Sequence, residues 1–502
     1  MKSASSLNEK IAHIKALYAA SRYEDALRDI STLPASSRDT IAILSLAGSC
    51  HFSLGNLDLA ERRYSRILQK TPDCFATLGN LGIVYRAKRQ MKHAIRCFER
   101  VVSLAPQSLP AYLDLSNLYR LDRQFEKAEH FARQSIAIDA RSDAAFTALG
   151  SIFSDFGKIA EAESAFRSAL TMNPGSAYNA ACLGLLLMSL DRWQEGLPLW
   201  EARHRAFLNG SQDPAPNVSF PQWNRESLAG KSLLIWPEQG FGDQIQLVRY
   251  IQRLKANGAY RITLICEPAL QTLFSTVEGV DAVMSGATYY AMGAPAHDFW
   301  TFIFSIPFNL GELPASIPAR IPYLRSTKER EEKWRPSLGG SSKKVGLVWK
   351  GSSTNSADAT RSLPGLGTLE PLWTVPDLTF VSLQKEDTKS DIEREIGTKP
   401  IVCLGDKITD FADTAAIVAQ LDLVITVDTA VAHLSAALGK KTWVLLPNVA
   451  VDWRWKHGPA ESPWYPEVLR LFRQPALATD WSVTVEDVVR ALSSLDEGRG
   501  ID

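Results

Sequence analysis

The sequence predicts an α-helical repeat solenoid followed by an α/β region of two doubly wound, Rossmann-like lobes facing a cleft. Three observations carry this. A 34-residue period runs through the first 205 residues, apolar strands alternate with helical segments from Lys231 onward, and a charged stretch at Arg325–Trp334 with Gly339-Gly340-Ser341-Ser342 divides the second region. At roughly 150 residues per domain, 502 residues hold about three domains. Lys+Arg and Asp+Glu both number 55, so there is no general electrostatic case for nucleic acid or a membrane surface. The six cysteines (50, 74, 97, 182, 266 and 403) are scattered without a C-x-x-C pair, as reduced thiols of a cytoplasmic protein would be. Glu9, Lys10 and Lys15 interrupt any secretory apolar core, and Ala180–Leu190 and Phe299–Leu310 are too short to span a bilayer.

The period shows in three lattices. Gly48, Gly82, Gly150 and Gly184 share one, with Ser116 in the remaining slot. Ala26, Ala60, Ala94, Ala128 and Ala162 share a second, with Gly196 as sixth member. Pro72, Pro106 and Pro174 share a third, where Ala140 substitutes. Small residues let paired helices approach closely, aromatics fill the gap between them, and proline closes each second helix. Leu81, Gly82, Tyr85, Ala94, Phe98 and Pro106 together resemble a tetratricopeptide repeat. Five to six such hairpins are expected within residues 1–205, presenting a concave face suited to a protein partner. Residues 206–227 connect onward, with turn formers dense over 206–220.

The first α/β lobe is expected over 228–325, with strands Ser232–Trp236 and Arg261–Cys266 around a helix from about Gly242 to Ala256. The second, over 343–502, carries strands Val345–Trp349, Leu378–Leu383, Leu423–Val427 and Thr442–Leu446. Parallel sheets of this kind bind ligands beyond the carboxyl ends of their strands, which places a site between the lobes.

Polar motifs stand at those strand ends. Glu238-Gln-Gly-Phe-Gly-Asp243 leaves the first strand, and Asp243 reads either as a helix cap or as a chemical group. Asp422-Leu-Val-Ile-Thr-Val-Asp428-Thr-Ala-Val-Ala-His433 runs from a strand into a helix of small residues. The free N–H groups after Thr429 would suit a phosphate, while His433 reads as a ligand or as a packing residue. Lys350 and Arg361 flank a hydroxyl-rich loop that offers cations and short donors to a diphosphate, or is simply a solvated loop. Gln384 ends another strand within Gln384-Lys-Glu386, suited to hydrogen bonds with a ribose or base. Asp452-Trp453-Arg454-Trp455 lies near Ser462-Pro-Trp-Tyr-Pro466, where tryptophans stack on a sugar or base, or cover the core.

On these motifs, residues 228–490 resemble a GT-B glycosyltransferase related to the heptosyltransferase group. The whole chain resembles bacterial tetratricopeptide–glycosyltransferase fusions, some of which modify flagellin, and O-linked N-acetylglucosamine transferase in arrangement. The resemblance implies a role for each residue. Asp243 would be the acceptor-activating base, and Lys350 and Arg361 would neutralise the leaving diphosphate. Thr429 and the helix start would hold the phosphate, with Asp428 near the donor sugar, Gln384 and His433 in the donor site, and Trp453 and Arg454 toward the acceptor. Arg86 and Arg120, one repeat apart on the concave face, would help capture a protein acceptor, or are solvated charges. Two features differ from these relatives. Of the asparagine ladder only Asn80 is present, with Asp114, Ala148 and Cys182 at its equivalents, and Arg361 stands where the heptosyltransferase loop presents lysine.

No Asp-x-Asp pair is present to hold a divalent ion, so neither metal nor other cofactor is expected, and fixed cations would stabilise the leaving group. The expected activity is inverting, metal-independent transfer of a sugar from a nucleotide-sugar donor to a protein hydroxyl, flagellin being one such acceptor. Transfer to a saccharide or lipid-linked glycan, or an inactive scaffold, are the alternatives.

Overall fold

The computed structural model describes residues 2–206, 215–340, 342–352, 358–385, 389–396, 401–455, 460–476 and 478–496. Residues 207–214 of the expected connecting loop, the centre of the Lys350–Arg361 loop (353–357) and Glu386 lie outside them. The chain forms two compact units, Met1–Gly175 and Ser176–Asp502.

In the first unit the described residues form five antiparallel helix pairs: Lys2–Ala19 with Tyr23–Thr32, Ile41–Ser53 with Leu57–Lys70, Phe75–Ala87 with Met91–Leu104, Leu109–Leu121 with Phe125–Ile138, and Asp143–Asp155 with Ile159–Met172. The glycine lattice has a steric cause. A Cβ on Gly48 would sit 2.8 Å from the Tyr64 ring, one on Gly82 2.8 Å from Phe98, and one on Gly150 2.7 Å from Phe166. Each glycine therefore admits the aromatic sixteen residues later, and any side chain would collide with it. The exception explains itself: where Ser116 replaces glycine, position 132 is alanine, and both are fully buried. The bulk has moved from one helix to the other. Pro72, Pro106 and Pro174 each lie two residues beyond a second-helix end, at Lys70, Leu104 and Met172.

The second unit opens with the last repeat hairpin, Ala177–Ser189 and Trp193–Trp200, and the short helix Arg203–Ala206. The 34-residue lattice thus runs one hairpin past the boundary between the compact units. Gly184 and Gly196 meet here: a Cβ on Gly184 would lie 2.9 Å from the Gly196 carbonyl.

The first lobe contains β1 (Ser232–Trp236), β2 (Arg261–Ile265), β3 (Ala282–Met284) and β4 (Phe299–Phe302) in a parallel sheet of order β3-β2-β1-β4. The second contains β5 (Lys343–Val348), β6 (Leu378–Ser382), β7 (Ile401–Cys403), β8 (Leu423–Val427), β9 (Thr442–Leu446) and β10 (Leu469–Arg473), parallel in the order β10-β9-β8-β5-β6-β7. Central strands β1, β8 and β9 are buried along their whole length, as strands covered by helices on both faces must be. The sequence reading missed β3, β4, β7 and β10. Two are only three residues long, β4 merges into a longer apolar run, and β10 is broken by arginines. In each sheet the strand order reverses about the first strand, β1 or β5, which opens a crevice at its carboxyl end.

The expected helix from Gly242 to Ala256 is three pieces, Phe241–Leu247, a 3₁₀ turn Val248–Tyr250 and Ile251–Ala256. The turn carries Arg249, which clamps the lobes. Its guanidinium donates to the Trp464 carbonyl at 2.6 Å and the Tyr323 hydroxyl at 3.0 Å, and lies 4.6 Å from the Tyr465 ring centre. A second lock joins the helix Lys328–Leu338 to the second lobe. Buried Asp413 accepts hydrogen bonds from Lys333 (3.0 Å), the Trp334 indole (2.9 Å), both the N–H and hydroxyl of Thr409 (3.1 and 2.6 Å), and Arg330. These donors outweigh the burial cost and hold the Asp413 carboxyl below the usual carboxylate range.

Candidate active site

Within the second unit a cleft of about 1080 Å³ gathers residues from both lobes, among them Asp243, Lys350, Arg361, Gln384, Asp428, Thr429, His433, Trp453 and Arg454. These nine residues, read from separate strand ends in the sequence, line one space.

The first-lobe wall begins where β1 ends. Gln239 holds the left-handed φ of 60°, an uncommon conformation for a side-chain-bearing residue and one that recurs at functional turns. Asp243 is the third residue of the helix Phe241–Leu247, and its Oδ2 accepts the Gly240 N–H at 2.9 Å. The cap expected of Asp243 is therefore real. Its Oδ1 meets Arg454 Nη2 in an ion pair. A Cβ on Gly242 would lie 2.9 Å from the His433 ring and 3.4 Å from the Ala430 Cα, so glycine here lets this helix reach the helix Ala430–Ala437 of the other lobe.

Arg454, expected toward the acceptor, lines the cleft and is engaged by two internal carboxylates. It is 5% exposed, pairs with both Asp452 oxygens at 2.9 and 3.0 Å and with Asp243, and its Nε donates to Gln246. Burial of a guanidinium requires such saturation, and two carboxylates within reach provide it. Trp453 stays half-buried in the cleft wall, while Trp455 is buried and stacks on His433 with ring centres 5.2 Å apart.

On the second lobe, Asp428 follows β8 directly and is half-buried. Burial, and then the neighbouring Asp452 carboxylate, push its carboxyl up to about 6, against the opposing pull of Arg361, Trp455 and Arg454. Thr429 is the N-cap of the helix Ala430–Ala437 without a side-chain cap bond, its hydroxyl 3.0 Å from that of Thr426. The first N–H groups of that helix lack partners in their own helix. His433 is buried, and its Nδ1 lies 2.9 Å from the Tyr465 hydroxyl. Burial first, then Arg454, Arg249 and Arg361, hold its imidazole well below the ordinary range.

Lys350 is half-buried at the end of β5 and lines the cleft. Arg361 is half-buried too, and its Nε is buried without a hydrogen-bond partner among the described residues. Gln384 is 4% exposed, and its Oε1 accepts the N–H groups of Trp349 at 3.2 Å and Lys350 at 3.0 Å. That oxygen anchors the start of the Lys350 loop.

The repeat arginines are also paired. Arg86 meets Asp114, and Arg120 meets Asp155 while donating to Asn117 Oδ1 at 3.0 and 3.3 Å. Each cation is thus balanced by a carboxylate within the array. Among the described residues no group of three or more His, Cys, Asp and Glu side chains is placed to hold a metal ion.

Residues that the sequence reading left without a role complete the site. Buried Glu238 is held by Arg203, which is 1% exposed, through two bonds of 2.9 and 2.7 Å, and it accepts the Phe304 N–H at 3.0 Å. Arg203 also donates to Ser305 (2.9 Å) and Glu201 (2.7 Å). Glu238 had a signal in its motif; Arg203 had none. Phe241 and Phe411 meet edge to face across the cleft, ring centres 5.2 Å apart.

Comparison with known proteins agrees with this class of molecule. Residues 383–445 match the profile of Glycosyltransferase family 9 (heptosyltransferase), a span that includes Gln384, Asp428, Thr429 and His433. Tetratricopeptide repeat profiles match residues 11–73, 77–110 and 144–176. The chain joins tetratricopeptide repeats to a family 9 glycosyltransferase domain. It is 28% identical over 349 residues to Protein FlbA of Caulobacter vibrioides, an alignment covering 64% of this chain and 57% of that protein. Among solved structures it is similar to MamA (22% identity, 32% of this chain and 95% of that one, TM-score 0.29) and to Pseudomonas aeruginosa pilF (10% identity, 42% and 96%, TM-score 0.35). Among the described residues no helix is long and apolar enough to cross a membrane.

Proposed function

We propose that this glycosyltransferase moves a sugar from a nucleotide donor to a hydroxyl of a protein acceptor in the cytoplasm, with inversion and without a metal ion, and that the repeats recruit the acceptor. Flagellin is a candidate acceptor from the resemblance to bacterial fusions of this arrangement. The observation that supports the reading is the convergence in one cleft of a first-lobe carboxylate, Asp243, with second-lobe Lys350, Arg361 and the Thr429 helix start. Asp243 takes the proton of the acceptor hydroxyl as its oxygen attacks the anomeric carbon. The bond from that carbon to the diphosphate oxygen breaks, and the charge moves toward Lys350, Arg361 and the N–H groups after Thr429. The Arg361 Nε, without a partner among the described residues, is a donor such an anion would satisfy. In this reading Asp428 accepts hydrogen bonds from donor-sugar hydroxyls, and Gln384 helps by holding the start of the Lys350 loop. Arg454 orients Asp243 through their ion pair, and Trp453 faces the acceptor.

Thermal-shift screening of the full chain against nucleoside diphosphates, with chelator present, tests the site. A ligand at one hundred times its dissociation constant adds about 2.7 kcal/mol of stability. The expected result is a shift with one nucleotide that Lys350→Ala with Arg361→Ala abolishes. No shift with any nucleotide, or a shift that requires a divalent ion, overturns the assignment.

A further inference from the structure

We propose that the last repeat hairpin forms the acceptor-side wall of the cleft, and that Trp200 and Gln244 there bind a peptide main-chain amide of the acceptor. This rests on the protein-acceptor reading and specifies its recognition.

Three observations lead to it. The hairpin belongs to the same compact unit as the two lobes, and two of its residues, Leu185 and Trp200, line the cleft together with first-lobe Gln244 and Phe304 and second-lobe Trp453. It is held there firmly: Trp193 stacks on Trp464 with ring centres 5.4 Å apart, Trp200 meets Phe304 at 5.6 Å, and buried Arg203 is bonded to Glu238 of the loop that leads to Asp243. The Trp200 indole N–H and the Gln244 Oε1 are both buried without hydrogen-bond partners among the described residues. Buried donors and acceptors are nearly always paired, so an orphan of each kind on a cleft wall marks a place where a ligand supplies the partners. The complement of one N–H donor and one carbonyl acceptor is a secondary amide. Apolar surface from Leu185, Phe304 and Trp453 beside them suits an apolar side chain, and amide plus apolar side chain is the repeating chemistry of a polypeptide.

The test uses the full chain, a panel of sugar donors carrying the nucleotide selected by thermal shift, and two acceptor probes. One is a degenerate peptide mixture with a central Ser or Thr between four variable residues on each side; the other is p-nitrophenyl N-acetylglucosaminide, whose amide is not part of a chain. Gln244→Met removes the acceptor oxygen at similar size. It should raise peptide KM about tenfold, the value of one lost hydrogen bond of ordinary strength, with kcat and the nucleotide thermal shift unchanged. Leu185→Trp fills the wall and should raise peptide KM at least as much. Scanning the best peptide with single N-methyl groups should find one position that weakens binding to the parent enzyme but not further to Gln244→Met. An N-methyl penalty of equal size in parent and Gln244→Met, or an unchanged peptide KM in Leu185→Trp, overturns this proposal and leaves the protein-acceptor reading standing. Transfer to the glycoside alone, or to no peptide, overturns both.

Discussion

Asp428→Asn should make the unit that holds the cleft more stable at neutral pH. The Asp428 carboxyl is ordinary in the unfolded chain, at 3.8, and is pushed up to about 6 in the folded one by burial and by Asp452. The difference is roughly two pH units, and at 1.36 kcal/mol each the ionised carboxylate costs the folded state roughly 3 kcal/mol. The sign follows from proton binding. Between about pH 4 and pH 6 the folded state keeps a proton that the unfolded state has released, so stability falls as pH rises through that window. Below it Asp428 is protonated in both states and resembles asparagine; above it the penalty is constant. Wild type and Asp428→Asn should therefore unfold alike near pH 4 and separate as pH rises, the variant being more stable by up to about 3 kcal/mol at pH 7, or about 5 °C for a unit of this size. Scanning calorimetry of the full chain measures this on the transition that a bound nucleotide displaces. A variant no more stable than wild type at pH 7, or a difference independent of pH, refutes the placement of Asp428 against Asp452 in a desolvated cleft.

Three further outcomes are expected. Asp243→Asn keeps the Gly240 cap and should lower transfer by about 10²–10⁴-fold with donor affinity nearly unchanged; an active variant would leave Asp243 as a cap alone. Gly242→Ala must displace the His433 ring or the helix Ala430–Ala437, and should destabilise the unit by about 1–3 kcal/mol and weaken nucleotide binding, which denaturant unfolding and thermal shift report. Asp413→Ala leaves Arg330 with Asp410 alone and takes the acceptor from the buried Trp334 indole, and should cost about 1–3 kcal/mol, read from the same unfolding curves; a loss under 1 kcal/mol would show that the lobes do not depend on this lock.

Local pattern determined much of this molecule. The repeat register was legible because each glycine and its aromatic lie sixteen residues apart on adjoining helices, close enough in sequence for period and contact to coincide. The parallel sheets were legible where a strand is long and apolar, as in β1, β8 and β9, and lost where it is three residues long, as in β3 and β7. The cleft residues were legible because strand carboxyl ends in such sheets converge, so polar motifs at several strand ends must face one crevice. Charge pairing was not. Arg454 and Asp243 are 211 residues apart, Arg203 and Glu238 35, Arg86 and Asp114 28, and nothing in the spacing says that they meet. An arginine in a sequence is a cation in search of a partner. Whether it faces a ligand or an internal carboxylate depends on a few ångströms of tertiary placement, because burial makes an unpaired charge too costly to keep. That placement paired Arg454 with Asp243 and put the last repeat hairpin into the same compact unit as the two lobes.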